Sequence, residues 1–307
     1  MIVSANKPTS AIFTDAVTLT PDRPEHFDVA FTGVTQPCPW PKAYGGDLVA
    51  QAAVAAIRTV AAGKNLHSMH SYFMRPADIG AEVRYEIEIL RDGRGYSNRQ
   101  VRAYQRGKPL YACLASFTAG EPGGSFAAGF PSGIPEPEIL PTSAVHLDGR
   151  TGGTMTEGSR SYWSVGRGFD MRHVPGPIYL TVDGARVPQQ AVWIRPFDRL
   201  RPVEGLTDAQ RDTAALAYVC DYTILEPVLR VLGLPWAADG LVTASLDHAM
   251  WFHRPGPLDG WLLYAQEAVS ASDGRGLAMG RFFAPDRTHL ATVLQEGVIR
   301  TSPGGSA

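Results

Sequence analysis

The chain has 307 residues, 19% of them charged and 44% apolar, with a formal net charge of −2. That length holds one large or two ordinary domains, and the composition is that of an ordinary globular protein. So small a net charge argues against nucleic acid or an anionic membrane as the main partner, although a small anionic ligand could still meet a local basic patch.

Residues 1 to about 25 read as an arm or edge segment, and Phe27, Val29 and Phe31 then alternate as in a strand. Pro37, Pro39 and Pro41 mark a loop that ends at Gly45-Gly46. Asp47 is placed to cap a helix running to Ile57 in which every residue but Gln51 is apolar. A helix apolar all round must be buried all round, and its many alanines predict a neighbour packed close to its axis. Leu66 to Arg75, Glu82 to Leu90, Ser97 to Gln105 and Pro109 to Phe117 read as four strands. They are joined by Pro76-Ala77-Asp78, Asp92-Gly93-Arg94-Gly95 and Arg106-Gly107-Lys108, which have hairpin chemistry. An antiparallel sheet wrapped around the helix follows.

Between 119 and about 160 Pro and Gly are dense, which predicts a linker, partly ordered at best. Beyond it, Gly168 to His173 and Gln189 to Arg195 are strand candidates. Thr207 to Val219 and Tyr222 to Leu232 are helix candidates around Asp221, with Pro227 set to bend or restart the second. Thr243 to His253, Trp261 to Ala271, Leu277 to Phe283 and Leu290 to Ile299 complete a second four-strand run.

The two runs are copies. Leu66 to Pro76 (LHSMHSYFMRP) is echoed by Ser245 to Pro255 (SLDHAMWFHRP), with Arg254-Pro255 repeating Arg75-Pro76 and Phe252 repeating Phe73. The tetrad Asp-Gly-Arg-Gly recurs at 273 to 276. A repeat on this scale defines the architecture before any single residue does. The expected fold class is α+β, two helix-plus-antiparallel-sheet modules. An unpaired sheet edge is a liability, so the two sheets are expected to join edge to edge into one. The expected division is an N-terminal domain over 1–118, a linker over 119–166 and a C-terminal domain over 167–307.

Cys38, Cys113 and Cys220 have no metal-ligand spacing and read as free thiols in a reducing compartment. The N-terminus lacks a signal pattern, and no run approaches the roughly 18–20 apolar residues that span a bilayer. The chain ends Gly305-Ser306-Ala307, without the peroxisomal Ser-Lys-Leu. The expectation is a cytoplasmic protein that meets neither membrane nor nucleic acid.

Tyr44-Gly45-Gly46, the Leu66 to Pro76 run, Leu90-Arg91-Asp92-Gly93, the Ser245 to Pro255 run, Trp261 to Tyr264 and Leu294-Gln295-Glu296-Gly297 together resemble acyl-CoA thioesterase II, the double hotdog thioesterases. The resemblance covers about 27 to 118 and 189 to 300. It implies hydrolysis of acyl-CoA to a free acid and CoA without a cofactor or metal, and further association into homo-oligomers. Matched by motif, it assigns the catalytic residues to Asp221, Ser245 and Gln295.

Thioester chemistry points to the same three. A carboxylate at a break in a buried helix is a plausible general base, because desolvation raises its pKa. A strand amide can hold the water, and a hydroxyl can bond either. Taken alone, Asp221 also reads as a helix cap, Ser245 as a strand hydroxyl and Gln295 as an edge polar residue. Asp47 stands where Asp221 stands in the other copy. There Leu66 replaces Ser245, and Leu114, Ala115 or Ser116 replaces Gln295, so Asp47 reads as a cap and one working centre is expected. His70, His248 and His253 have no ligand set around them and read as structural or pocket-lining. Arg94 and Arg275, on the two Asp-Gly-Arg-Gly turns, are candidates to meet a CoA phosphate, against the plainer reading of solvated turn residues.

Other functions remain to be separated: a hotdog acyl-CoA hydratase, a polyketide-tailoring thioesterase, or a non-catalytic acyl-CoA-binding module. A hydratase would need an Asp/His pair near its helix, and no His occurs between Ala214 and Leu232. A serine hydrolase would need Gly-x-Ser-x-Gly, which is absent.

Overall fold

The computed structural model describes residues 9–150 and 152–301. Its first half runs Ala11–Val17 (α1), Thr20–Asp22 (β1), Val29–Val34 (β2), Gly45–Ile57 (α2), Asn65–Phe73 (β3), Glu82–Asp92 (β4), Tyr96–Gln105 (β5) and Lys108–Thr118 (β6). Two short helices follow, Ser143–Leu147 (α3) and Glu157–Ser161 (α4). The second half runs Phe169–Val174 (β7), Gln189–Pro196 (β8), Asp208–Val219 (α5), Glu226–Leu232 (α6), Val242–Ser245 (β9), Asp247–Phe252 (β10), Leu262–Ser272 (β11), Arg275–Phe283 (β12) and His289–Arg300 (β13).

All the strands lie in one antiparallel sheet in the order β1-β2-β4-β5-β6-β3-β10-β13-β12-β11-β8-β7, with β9 paired to β13. Read from the centre outward, the two halves have the same strand order, as the repeat predicted. The halves meet along β3 and β10. Met69 faces Met250 and Ser71 faces His248, pairs that exchange when each copy is laid on the other, and His70 faces Ala249 on the axis that relates the copies. The edge of each half is thereby satisfied by the other. This is the double hotdog.

Along β13 burial alternates from Ala291 to Ile299, so the odd-numbered side chains face the helices and the even-numbered ones face out. Helix α2 packs against α5, and from Gly46 to Ile57 every residue of α2 is buried. Small side chains on both helices (Ala50, Ala53 and Ala56 on one, Ala214, Ala215 and Ala217 on the other) let the backbones approach closely. One continuous core cluster, from Phe13 to Ile299, draws on both halves.

Four local expectations change. Asp47 is not the cap of α2: the cap position is Tyr44, and Asp47 lies a turn inside, where its Oδ2 accepts the Gln36 N–H at 2.7 Å. The arm before residue 25 forms β1 and also α1, whose Phe13 is fully buried between Phe169 and Tyr218 of the second half. The Pro- and Gly-rich stretch after 118 is more structured than its composition suggests. Phe130, Ile134 and Leu140 pack on Ala191, Trp193, Leu263 and Phe283, so the outer face of β8, β11 and β12 is covered there. With both faces buried, β8 shows a continuous apolar run and not an alternation.

The last change is in the strand that carries Ser245. Thr243 to His253 is two strands, because the chain carries one more residue between the pairs Ser245–Gly297 and Ala249–Leu294 than β13 does. The extra residue makes a β-bulge where Asp247 and His248 stand opposite Gln295, since the Leu246 N–H still bonds the Glu296 carbonyl in register, and bulges re-aim the side chains beside them.

Candidate active site

Asp221 sits in a single 3-10 turn, Cys220–Tyr222, between α5 and α6. The sequence stops the helix there for clear reasons. Helix α5 is held at its start by a capping box between Thr207 and Gln210, and α6 restarts with Pro227 in its first turn, a residue that cannot continue a helix from behind. Between the two, the Asp221 side chain is free to turn towards the sheet.

There it meets the two expected partners. The Gln295 amide donates to Asp221 Oδ1 at 2.5 Å, the Ser245 hydroxyl donates to the same oxygen at 2.9 Å, and Gln295 Nε2 also donates to Ser245 Oγ at 3.0 Å. The sequence-predicted trio thus closes into one triangle. Gln295 lies on the inner face of β13 with no exposed surface, and Ser245 turns inward at the end of β9, just before the bulge. Gln295 Oε1 is buried without a hydrogen-bond partner among the described residues.

The other side of Asp221 faces the first half of the chain. A Cβ built on Gly45 would lie 2.6 Å from Asp221 Oδ2, so the start of α2 is in contact with the carboxylate. Burial pushes the Asp221 carboxyl above the usual carboxylate range. The Gln295 amide, the Ser245 hydroxyl, the Lys42 ammonium and the Gly46 N–H oppose that rise. The positive end of the α2 dipole favours negative charge at the same place. Asp221 itself is only half-buried by surface although protein surrounds it closely, which describes the floor of a narrow opening.

Two features of this contact are not legible in the sequence pattern. That pattern gives Gly45-Gly46 only as the end of a loop, yet both glycines are required by close approach: at Gly46 a Cβ would fall 2.3 Å from the Tyr218 carbonyl oxygen and from the Tyr44 ring. Gly46→Ala is expected to destabilise the fold by at least the ~1–3 kcal/mol typical of overpacking, because the nearest atom is buried backbone. Gly45→Ala is expected to lose turnover out of proportion to stability, because its Cβ presses mainly on the Asp221 carboxylate and only lightly on the Phe73 ring. Denaturant unfolding set beside the turnover number separates the two. Lys42 is the second feature, and its Nζ donates to the Thr243 carbonyl at 2.5 Å.

The remaining candidates lie elsewhere. Arg275 is exposed on the outer face of the sheet, where it pairs with Glu296 at 3.2 Å, and Arg94 is exposed at the turn between β4 and β5. His248 is buried with Nε2 3.3 Å from Cys220 Sγ, and burial pushes it down to about 3, so it stays neutral at working pH. His70 packs edge-on to Trp251, and His253 bonds Thr292. In the first half, Leu66 is an apolar core residue and the inward residue opposite Gln295's place is Ala115, so no second triangle forms around Asp47. Among the described residues, Glu25, His26 and Glu86 are the one group with metal-ligand proximity. Glu86 there already accepts three backbone N–H groups and the Arg84 guanidinium, which leaves little charge to attract an ion.

A half-buried carboxylate held by an amide and a hydroxyl, against the start of a helix from the other hotdog, is an arrangement that fits a hotdog hydrolase. The profile of the acyl-CoA thioesterase N-terminal domain matches residues 36–119, and that of the C-terminal domain matches 141–299. The chain therefore belongs to the acyl-CoA thioesterase family. It is 32% identical to acyl-CoA thioesterase 2 of Haemophilus influenzae over 278 residues, covering 90% of this chain and 93% of that one. It is 33% identical to human acyl-coenzyme A thioesterase 8 over 271 residues, covering 86% and 82%. Among solved structures, acyl-CoA thioesterase II TesB2 of Mycobacterium marinum superposes with a TM-score of 0.71 at 30% identity, covering 95% of this chain and all of that one.

Proposed function

We propose that this protein hydrolyses acyl-CoA thioesters to a free carboxylic acid and CoA by direct attack of water, with Asp221 as general base and no acyl-enzyme. The observation that carries this reading is the triangle of Asp221, Ser245 and Gln295 facing the start of α2. Ser245 and Gln295 both bind Oδ1, which leaves Oδ2 to take the proton. The unpartnered Gln295 Oε1 is an acceptor for the second hydrogen of the attacking water. Amides at the start of α2 receive the charge that develops on the carbonyl oxygen, in a site already preorganised for an anion. No imidazole lies in the triangle to activate Ser245 as a nucleophile.

The centre on this reading belongs to the C-terminal unit, 167–307, completed by the N-terminal unit, 1–118, with 119–166 as the connecting strap. The relatives' names support CoA esters as substrates, and on this reading the protein acts in fatty-acid and lipid metabolism. On the same reading Arg94 and Arg275 guide the CoA phosphates. A cytoplasmic location fits a chain whose described helices include none long and apolar enough to cross a membrane. Copies associate through the outer face of the sheet, where Tyr72 is 67% and Leu114 53% exposed, a contact that sedimentation would read.

The test is thiol release from a panel of short-, medium- and long-chain acyl-CoA esters, trapped by a chromogenic disulfide. Wild type should turn over at least one class. Gln295→Ala should lower that turnover by about 10²-fold or more, since a misplaced water loses most of the worth of a positioned base. Thiol release equal in wild type and Gln295→Ala would refute the reading.

A further inference from the structure

The assigned base lies in the second half, but a cation reaches it from the first. Lys42 stands three residues before Gly45, in the loop that leads into α2. Its ammonium crosses to the other half and donates to the carbonyl of Thr243, on the strand whose last residue, Ser245, holds Asp221. The first half thus touches this region twice, with Gly45 against Asp221 Oδ2 and with Lys42 against the carbonyl of Thr243, two residues before Ser245. The Lys42 residue is half-buried.

We propose that Lys42 is a positioning residue that keeps Asp221 ionised, so that the first half of the chain supplies the charge that the base in the second half needs. The inference rests on Asp221 being the base. Burial alone works against that role, because a carboxyl deprived of water holds its proton. The hydrogen bonds of Gln295 and Ser245 offset part of this, and both are neutral. Lys42 is the cation that acts on Asp221, and Asp221 in turn holds the Lys42 ammonium against the loss of charge that its own burial favours. The other titratable groups around Asp221 cannot do this. Cys220, Tyr44 and Tyr264 are raised far enough to stay neutral, while Asp47, on α2, is pushed up to about 7 and adds negative charge as it ionises.

The experiment is the pH profile of kcat/KM between pH 5 and 9, measured in an Asp47→Asn background so that Asp47 does not titrate in the same window. An opposite charge near a carboxyl is worth about one to three pH units. Lys42→Met is therefore expected to move the acid limb upward by at least about one unit, which lowers the ratio of kcat/KM on the acid limb to that at pH 9. Lys42→Arg, which keeps the charge, should restore the limb to within a few tenths of a unit. A ratio taken within one preparation is independent of how much of it is folded, and the ionisation of the substrate phosphates is common to all variants. An acid limb unmoved in Lys42→Met overturns the proposal, as does an equal loss at every pH that Lys42→Arg shares, which would mean that Lys42 only ties the Thr243 strand. Asp221→Asn in the same assay separates the two levels. If it keeps the wild-type limb, the base assignment falls; if it loses the limb while Lys42→Met keeps it, only the role of Lys42 falls.

Discussion

Asp221→Asn is expected to lower the turnover number on acyl-CoA by about 10²–10⁴-fold, the usual worth of a positioned general base. The substitution is nearly isosteric. An asparagine oxygen can still accept the Gln295 amide and the Ser245 hydroxyl in place of Oδ1, so the triangle is preserved in shape. What is lost is the second carboxylate oxygen, the one against Gly45, and with it the ability to take a proton from water. The Michaelis constant should change little, because the triangle acts on water and the carbonyl and not on the nucleotide. Asp47→Asn is the internal control. Asp47 has neither a hydroxyl nor an amide to complete it, so turnover at a pH above the acid limb should stay near wild type. Steady-state kinetics on one CoA ester decides both. Full activity in Asp221→Asn, or its loss in Asp47→Asn, would place the centre in the wrong half.

The second large effect concerns stability. Asp47 has no exposed surface, one carboxylate oxygen takes a single backbone N–H, and the other has no hydrogen-bond partner among the described residues. Burial and the nearby Asp221 push its pKa from 3.8 up to about 7. The folded state thus holds this proton more tightly than the unfolded chain does. Stability is fully present below about pH 4 and is lost as pH rises through about 7, where Asp47 must ionise inside the protein. The difference corresponds to a loss on the order of 2–4 kcal/mol above that pH. Asp47→Asn removes it while keeping an acceptor for Gln36. The variant should therefore unfold at a higher denaturant concentration than wild type at pH 8.5, with little difference at pH 4.5. A wild-type advantage at pH 8.5 would show that the charged form of Asp47 is stabilised by more than the Gln36 N–H.

The repeat and the hydrophobic pattern were legible in the chain because they are properties of consecutive residues. Alternation in Glu82 to Ile89 can only be a strand with one buried face, an apolar run from Leu48 to Ile57 must be a buried helix, and two copies of one pattern must share one strand order. The trio was legible as residue types by resemblance, and its geometry turned out to be a closed triangle. Other features could not be read so. Asp47 and Asp221 both follow a turn at a helix end, and nothing local tells that one is completed by Ser245 and Gln295 while the other faces Leu66 and Ala115. The Pro- and Gly-rich stretch from 119 has few apolar residues, and only the outer face of β8 and β11, built much later in the chain, gives Phe130 and Leu140 something to cover. Arg275 shares a turn motif with Arg94, yet strand parity sends it to the outer face with Glu296. The bulge opposite Gln295 exists because β9–β10 and β13 differ by one residue between fixed pairs, which is a relation between strands and not a property of either. Local sequence thus determined which elements form and which residue types are on hand. The contact of the Gly45-Gly46 turn with a carboxylate from the opposite half of the chain, and of Lys42 with the Thr243 carbonyl nearby, was decided by the packing of two helices against one sheet, because burial and long-range electrostatics depend on where chains meet and not on what adjoins them.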